Sequence, residues 1–113
     1  SALNLLVLRA ENPDQLAAFY AHLGLSFQRE QHGRGLPHHA SRTGGSVFEI
    51  YPCVNPSEAT TNTRIGFQVA SIDAVISACA APVLSKPKVT PWGKRAVIQD
   101  PEGHKVELVE IVD

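Results

Sequence analysis

The fold of this protein is decided by one stretch of its sequence, DPEGHKVEL, at residues 100–108. Its first four residues suit a type I turn, because aspartate, proline and glycine stand at the first, second and fourth positions. The residues that follow alternate between polar and apolar side chains, which predicts a strand over residues 105–111. In that strand Val106 and Leu108 lie on one face and Glu107 lies on the other. Together with residues 96–99 before the turn, the stretch predicts a β-hairpin with one apolar face.

A similar pattern lies earlier in the chain. Gly45 and Glu49 precede Gly103 and Glu107 by 58 residues each, and the apolar helix face that begins at Leu16 returns 56 residues later. Both spacings are close to half of the 113 residues. The chain is therefore predicted to be an internal repeat of two units.

Each predicted unit has the element order βαβββ, the first over about residues 1–55 and the second over about residues 60–113. A unit of this size cannot bury its own sheet, so the two units must pair, within the chain or across a dimer. We expect the α+β class, with a single domain over residues 1–113 in which two βαβββ modules form a cup-shaped mixed sheet.

Helix and turn signals place the elements of both units. Asn12 can cap the first helix, Pro13 suits its first position, and Gly24 stands where a left-handed residue follows a helix. Ser71 can cap the second helix. The predicted strands cover residues 3–8, 25–29, 37–42 and 46–51 in the first unit and residues 64–69, 83–84, 96–99 and 105–111 in the second.

Composition excludes several classes of partner. The formal net charge is −1 and the basic residues are scattered, which argues against a nucleic-acid partner. The apolar run at residues 5–8 is too short to span a membrane, so no membrane partner is expected. Cys53 and Cys79 form no CxxC motif, and we expect reduced thiols in a cytoplasmic protein.

Strand alternation brings polar side chains together on the sheet face opposite to the helices. If the glycine pair at residues 44–45 is the whole hairpin loop, His38 lies opposite Tyr51 and shares a face with Glu49. A register error of one residue would place His39 there instead. Glu49 and Glu107, at equivalent places in the two repeats, are either ordinary surface acids or a pair that meets a metal or another cation in a shared cavity. The symmetry of the repeat favours the cavity.

These features together resemble the vicinal oxygen chelate superfamily, the glyoxalase, bleomycin-resistance and dioxygenase group. The resemblance covers essentially the whole chain, and residues 100–108 are its most specific part. It implies paired βαβββ units that form a cup, often in a homodimer, with a divalent metal bound by four residues in the enzymes. The other matching stretches are Phe19-Tyr20, Leu23-Gly24-Leu25, residues 47–52 and Pro91-Trp92-Gly93.

The resemblance places the four metal positions of the enzymes on Leu5, Glu49, Arg64 and Glu107. Both glutamates match, but leucine has no donor atom and arginine stays protonated, so neither can be a ligand. Two carboxylates alone suit zinc or nickel poorly. Arg64 can instead donate to Glu49, Glu107 or both, which relieves the repulsion between the carboxylates. The sequence therefore favours a protein without a cofactor, as the bleomycin-binding relatives imply.

A displaced metal site is the alternative. His38, Glu49 and Glu107 would supply three ligands and leave a position for water, an arrangement typical of catalytic metals. With zinc, nickel, manganese or iron bound there, the protein would be a divalent-metal-dependent lyase, isomerase or dioxygenase. The sequence leaves open whether the protein is an enzyme. Three further histidines are expected at the surface. They are His22 on a helix, His32 in a loop and His104 in a turn.

The leading hypothesis is a homodimeric small-molecule-binding protein with a charged pocket. Two aromatic residues, Tyr51 and Trp92, can stack on a planar ligand in this pocket. A third possibility is a decayed site in a protein that serves only as an interaction module. Under the leading hypothesis the ligand-binding residues are His38, Glu49, Tyr51, Arg64, Trp92 and Glu107.

Overall fold

The computed structural model describes residues 1–111, so the last two residues of the predicted second module lie outside the described part. The chain separates into two compact units, one covering Ser1–Thr60 and the other beginning at Thr61. Each unit has the element order βαβββ and a four-stranded mixed sheet. The predicted α+β class and internal repeat are therefore confirmed.

The first unit follows the predicted plan. Its strands have the spatial order β1-β4-β3-β2, with β1 parallel to β4 and the other neighbours antiparallel. A short 3₁₀ helix follows at Pro56–Glu58. The elements are β1 (Leu5–Ala10), α1 (Pro13–Ala21), β2 (Gln28–Glu30), β3 (His38–Thr43) and β4 (Ser46–Pro52).

The second unit repeats this topology with the spatial order β5-β8-β7-β6, in which β5 is parallel to β8. Within residues 1–111, no helix is long and apolar enough to cross a membrane. The elements of this unit are β5 (Arg64–Gln68), α2 (Ile72–Cys79), β6 (Val83–Thr90), β7 (Gly93–Gln99) and β8 (Lys105–Glu110).

The core of the first unit lies between α1 and one face of the sheet. The rings of Tyr20 on α1 and Phe48 on β4 meet edge to face, with 5.1 Å between their centroids. Ile50 is completely buried beside them, and each such side chain contributes about 1.5–3 kcal/mol on burial. Because Phe48 and Ile50 point into this core, the intervening Glu49 points to the opposite face, as the alternation predicts.

The second unit builds its core in the same way. Val106 and Leu108 of β8 and Ile72 of α2 are fully buried, so Glu107 points away from this core. Ser71 caps α2 as predicted, its hydroxyl accepting the N–H of Ala74. The N–H of Ile72 donates to the carboxylate of Glu110 over 2.8 Å, which ties the start of α2 to β8.

Four strands differ from the prediction by two or more residues at one end at least: β1, β2, β6 and β7. Strand β2 begins three residues later than expected, and the Phe27 ring before it packs against Phe48 instead. Strand β6 extends six residues beyond its predicted end, although Pro87 lies within it. A proline has no N–H to donate, and the β6–β7 register shifts between Ser85 and Lys88 around this residue. The strand tolerates the proline because β6 lies at the sheet edge, where one side needs no partner.

The prediction that His104 lies at the surface is wrong. Its ring is completely buried, and Nδ1 donates to Oδ2 of Asp100 over 2.8 Å. The same carboxylate accepts the backbone N–H groups of Glu102 and His104 across the turn. Asp100 points inward, only 4 % exposed, and its hydrogen bonds draw the histidine inside with it. His22 and His32 are exposed, as expected.

We predict that Asp100→Ala lowers the free energy of unfolding by about 2–4 kcal/mol, because it leaves several buried donors without an acceptor. Urea denaturation followed by circular dichroism measures this change. Asp73→Ala is the matched control, since Asp73 forms only an exposed pair with Lys94 among the interactions seen and should give a much smaller loss. Equal losses in the two variants would contradict the structural role of Asp100.

We also predict that Gly93→Ala destabilises the protein by about 2 kcal/mol, as expected for a strained backbone position. Gly93 has a φ of 125°, and an added Cβ would lie 2.7 Å from the carbonyl oxygen of Glu110. Gly45→Ala is the matched control: it makes the same change in the β3–β4 hairpin, where an added Cβ meets no atom within 4 Å. Thermal melts that shift equally for both variants would show that the Gly93 contact is not restrictive.

Candidate functional site

The register of the first hairpin places His38 on the polar face of the sheet. Ala40 lies opposite Glu49 and His39 lies opposite Ile50, so His38 falls opposite Tyr51. The two rings stack with 4.1 Å between centroids and 11° between planes. His39 points elsewhere, its Nε2 2.7 Å from an Asp14 oxygen. The predicted two-glycine loop and the register that selects His38 are confirmed.

The hydrogen bonds of His38 determine what its ring can do. The side chain is buried, and Nδ1 lies 3.0 Å from the carbonyl oxygen of Leu36. A carbonyl oxygen only accepts, so Nδ1 carries the proton. Nε2 is then directed at other polar atoms, Oε2 of Glu49 at 3.4 Å and Oε1 of Glu30 at 3.5 Å. This nitrogen can accept a hydrogen bond or a proton, or donate an electron pair to a metal.

Tyr51 completes the polar group around His38. Its hydroxyl lies 3.5 Å from Nε2 of His38, and the guanidinium carbon of Arg9 lies 5.1 Å from its ring centroid. Burial raises the pKa of the Tyr51 phenol, and the negative charge of Glu49 raises it further, while Arg9 opposes this. The phenol therefore keeps its proton at neutral pH and can donate a hydrogen bond.

Two neighbours of His38 were missed by the sequence analysis. Glu30 ends β2, and His32 follows two residues later, with its Nε2 3.4 Å from Oε1 of Glu30. The rings of His32 and His38 have their centroids 5.3 Å apart. Residues two positions apart in a strand share a face, so the spacing of Glu30 and His32 was a signal in the sequence that both side chains could lie on the polar face. The predicted end of the strand at residue 29 concealed it.

A pocket of about 480 Å³ lies on this polar face of the first unit. Its walls come from alternate residues of β2, β3 and β4, which is why the lining is polar on a face that carries no helix. Both carboxylates near His38 open into it, and Arg42 supplies a positive charge. The lining residues are Ser26, Gln28, Glu30, His32, Ala40, Arg42, Val47 and Glu49.

In the second unit the equivalent glutamate is held by two arginines. Nε of Arg64 donates to Oε2 of Glu107 over 3.1 Å, and Nη2 of Arg95 pairs with Oε1. The Arg64–Glu107 contact is one of those that the sequence suggested for Arg64, whereas Arg95 was missed because β7 begins three residues before its predicted start. Arg95 lies opposite Val109, a register position equivalent to that of His38 opposite Tyr51.

The remaining sequence candidates lie on exposed positions. Trp92 is 78 % exposed in the turn between β6 and β7. Leu5 begins β1 opposite Val47, and Arg64 begins β5 opposite Lys105. These two residues therefore occupy equivalent places in the repeat. Each pairs with a residue of the neighbouring strand that lies two positions before the glutamate of that strand.

The four positions of the metal enzymes do not fit a divalent ion in this chain. Leu5 offers no donor atom, and Arg64 carries a fixed positive charge. Glu107 already accepts from two guanidinium groups, which would oppose a cation at the same carboxylate. Of the four residues, only Glu49 has a carboxylate that is not held by an arginine and can bind a cation.

The chain matches the Glyoxalase/Bleomycin resistance protein/Dioxygenase superfamily over residues 2–108. No curated protein matches the chain.

Several solved structures have the same fold. An antibiotic binding protein, TnmS3 from Streptomyces sp. CB03234, aligns with a TM-score of 0.78 and 19 % identity over 99 % of this chain and 97 % of its own. The oxidase ChaP-H2 gives 0.78 and 20 % over 99 % and 94 %. Lactoylglutathione lyase from Agrobacterium tumefaciens gives 0.69 and 21 % over 97 % and 93 %. These identities establish a shared fold, whereas the match over residues 2–108 establishes the family. The chain belongs to the Glyoxalase/Bleomycin resistance protein/Dioxygenase superfamily.

Proposed function

We propose that this protein binds a small molecule, as bleomycin-resistance proteins do, and that it uses no metal at the four positions of the family's enzymes. The observation that carries this proposal is the polar pocket of about 480 Å³ on the first sheet. Small-molecule sites typically have volumes of about 300–1,000 Å³ and a few convergent polar groups.

The residues around this pocket favour a polar ligand that donates hydrogen bonds. The carboxylate of Glu49 can accept them and attract a cationic group. Tyr51 and His38 stack on each other, so their positions are held before a ligand arrives, which lowers the entropic cost of binding. Arg42 can bind an acidic group on the same ligand.

We further propose that the second unit contributes Arg64, Glu107 and Trp92 to ligand binding in a single domain over the whole chain. The side chain of Arg64 is 56 % exposed, so its guanidinium retains donors for a ligand while Nε holds Glu107. Trp92 presents an exposed indole that can stack on a planar group. We propose a cytoplasmic homodimer as the working assembly.

The titles of the structural neighbours support a ligand-binding function. One neighbour is described as an antibiotic binding protein, and its chain and this one align over nearly their full lengths. Antibiotic-like polar molecules are therefore the first ligands to test.

We predict that at least one member of a panel of polar antibiotics raises the melting temperature of the protein, because a ligand that binds only the folded state stabilises it. Glu49→Gln and Arg42→Ala should each weaken binding of that compound about tenfold or more, as loss of a charged hydrogen bond requires. Isothermal titration calorimetry measures the dissociation constants.

Matched controls are available for both variants. Glu58→Gln changes a glutamate that pairs with Arg9 outside the pocket, and Arg34→Ala changes an exposed loop arginine. Both should bind as tightly as the unmodified protein. A panel without any binder, or pocket variants indistinguishable from these controls, would refute the proposal.

A metal-dependent lyase, isomerase or dioxygenase is the second candidate, using His38, Glu49 and Glu107. The 3.4 Å contact between His38 and Glu49 favours it, whereas the two arginines on Glu107 oppose it. This candidate requires about one bound metal per chain that disappears in Glu49→Ala. Elemental analysis of protein purified without a tag or chelator tests it, and the metal must also disappear in Glu107→Ala, because Glu107 is a ligand in this candidate alone.

A further inference from the structure

A group of metal-binding side chains lies at the β2–β3 edge of the first unit, away from the four positions of the family's enzymes. Glu30, His32 and His38 each offer one ligand atom, and these atoms all lie within 4.8 Å of one another. We propose that these three residues bind a divalent transition-metal ion of the zinc type. This proposal does not depend on the small-molecule proposal, because it concerns the ion alone.

The distances between the ligand atoms suit a metal better than they suit hydrogen bonds. Oε1 of Glu30 lies 3.4 Å from Nε2 of His32 and 3.5 Å from Nε2 of His38, which is long for hydrogen bonds between these groups. A tetrahedral ion with ligands at about 2.1 Å separates those ligands from one another by about 3.4 Å. The two edges that Glu30 makes with the histidines therefore have the length that a bound ion requires.

The environment of His38 prepares its ring to act as a ligand. Nδ1 donates to the carbonyl oxygen of Leu36 over 3.0 Å, and metal-bound histidines usually donate their second nitrogen in this way. The ring is also held by stacking on Tyr51. With Nδ1 protonated and the ring fixed, the lone pair of Nε2 faces the carboxylates. His32 is exposed, so its ring can approach an ion from the solvent side.

Charge also favours a cation here. Oε2 of Glu49 lies 3.4 Å from Nε2 of His38, which brings a second carboxylate beside the three ligands. Glu30 and Glu49 thus place two negative charges in the pocket lining, against one positive charge from Arg42. Two imidazoles and one carboxylate suit zinc and similar ions, whereas magnesium prefers oxygen ligands. The fourth coordination position would face the pocket, where water or a ligand oxygen can occupy it.

The test is titration of Zn²⁺ into tag-free, metal-stripped protein by calorimetry. We expect about one Zn²⁺ per chain and no saturable binding of Mg²⁺. His32→Ala and Glu30→Gln should weaken Zn²⁺ binding tenfold or more, because each removes one of three ligands. His22→Ala, which removes an exposed histidine from the end of α1, is the matched control and should bind normally. Glu107→Gln should also bind normally.

Two further measurements keep the result interpretable. Circular dichroism checks that His32→Ala and Glu30→Gln remain folded; His32 is exposed and Gln keeps the shape of Glu, so both should be folded. The visible absorption of bound Co²⁺ reports whether the ion is tetrahedral, and this spectrum should be lost in His32→Ala but retained in His22→Ala.

Three outcomes would overturn the proposal. These are the absence of saturable Zn²⁺ binding, equal affinity in His32→Ala and His22→Ala, and loss of binding in Glu107→Gln with normal binding in Glu30→Gln. The last outcome would assign the ion to His38, Glu49 and Glu107 instead. No small molecule is present in these titrations, so their failure would leave the ligand-binding proposal to its own test.

Discussion

Each sheet carries one carboxylate on the polar face of an interior strand, and the organisation of that face follows from how this charge is compensated. Glu49 lies on β4 and Glu107 on β8, and both of these strands have neighbours on two sides. Their side chains are only 16 % and 19 % exposed. A carboxylate removed from water to this extent is costly unless a partner offsets the loss of hydration. The partner therefore determines what each unit can bind.

The two units compensate this charge with different chemistry at equivalent positions. In the second unit Arg64 and Arg95 hold Glu107 between them, and guanidinium groups neither give up their protons nor accept hydrogen bonds. In the first unit Glu49 faces His38, whose Nε2 can gain or lose a proton or donate an electron pair. One topology thus produces an ion cluster with a fixed charge in one unit and a polar pocket with an adaptable partner in the other.

The polar pocket and the proposed metal site use the same feature in different ways. The carboxylates of Glu30 and Glu49 line the pocket, and both lie beside the buried His38, whose orientation is set by Leu36 and Tyr51. The pocket uses the carboxylates as acceptors for a ligand, whereas the metal site uses a carboxylate and two imidazoles as electron donors. An ion at the β2–β3 edge would lie at the wall of the pocket, since Glu30 and His32 also line it. A ligand oxygen could then complete the coordination of the ion.

The sequence by itself determined the two βαβββ units, the capped helices and the face on which each strand residue lies. These features are local: alternation along a strand, helix-capping residues and the turn at residues 100–103 depend on neighbours in the chain. The register that selects His38 over His39 was also available, because two glycines make a short hairpin loop. Only the tertiary structure decided which side chains meet. Arg95, Glu30 and the buried His104 were not assigned from sequence, since strand ends depend on pairing with other strands and the inward position of a turn depends on packing.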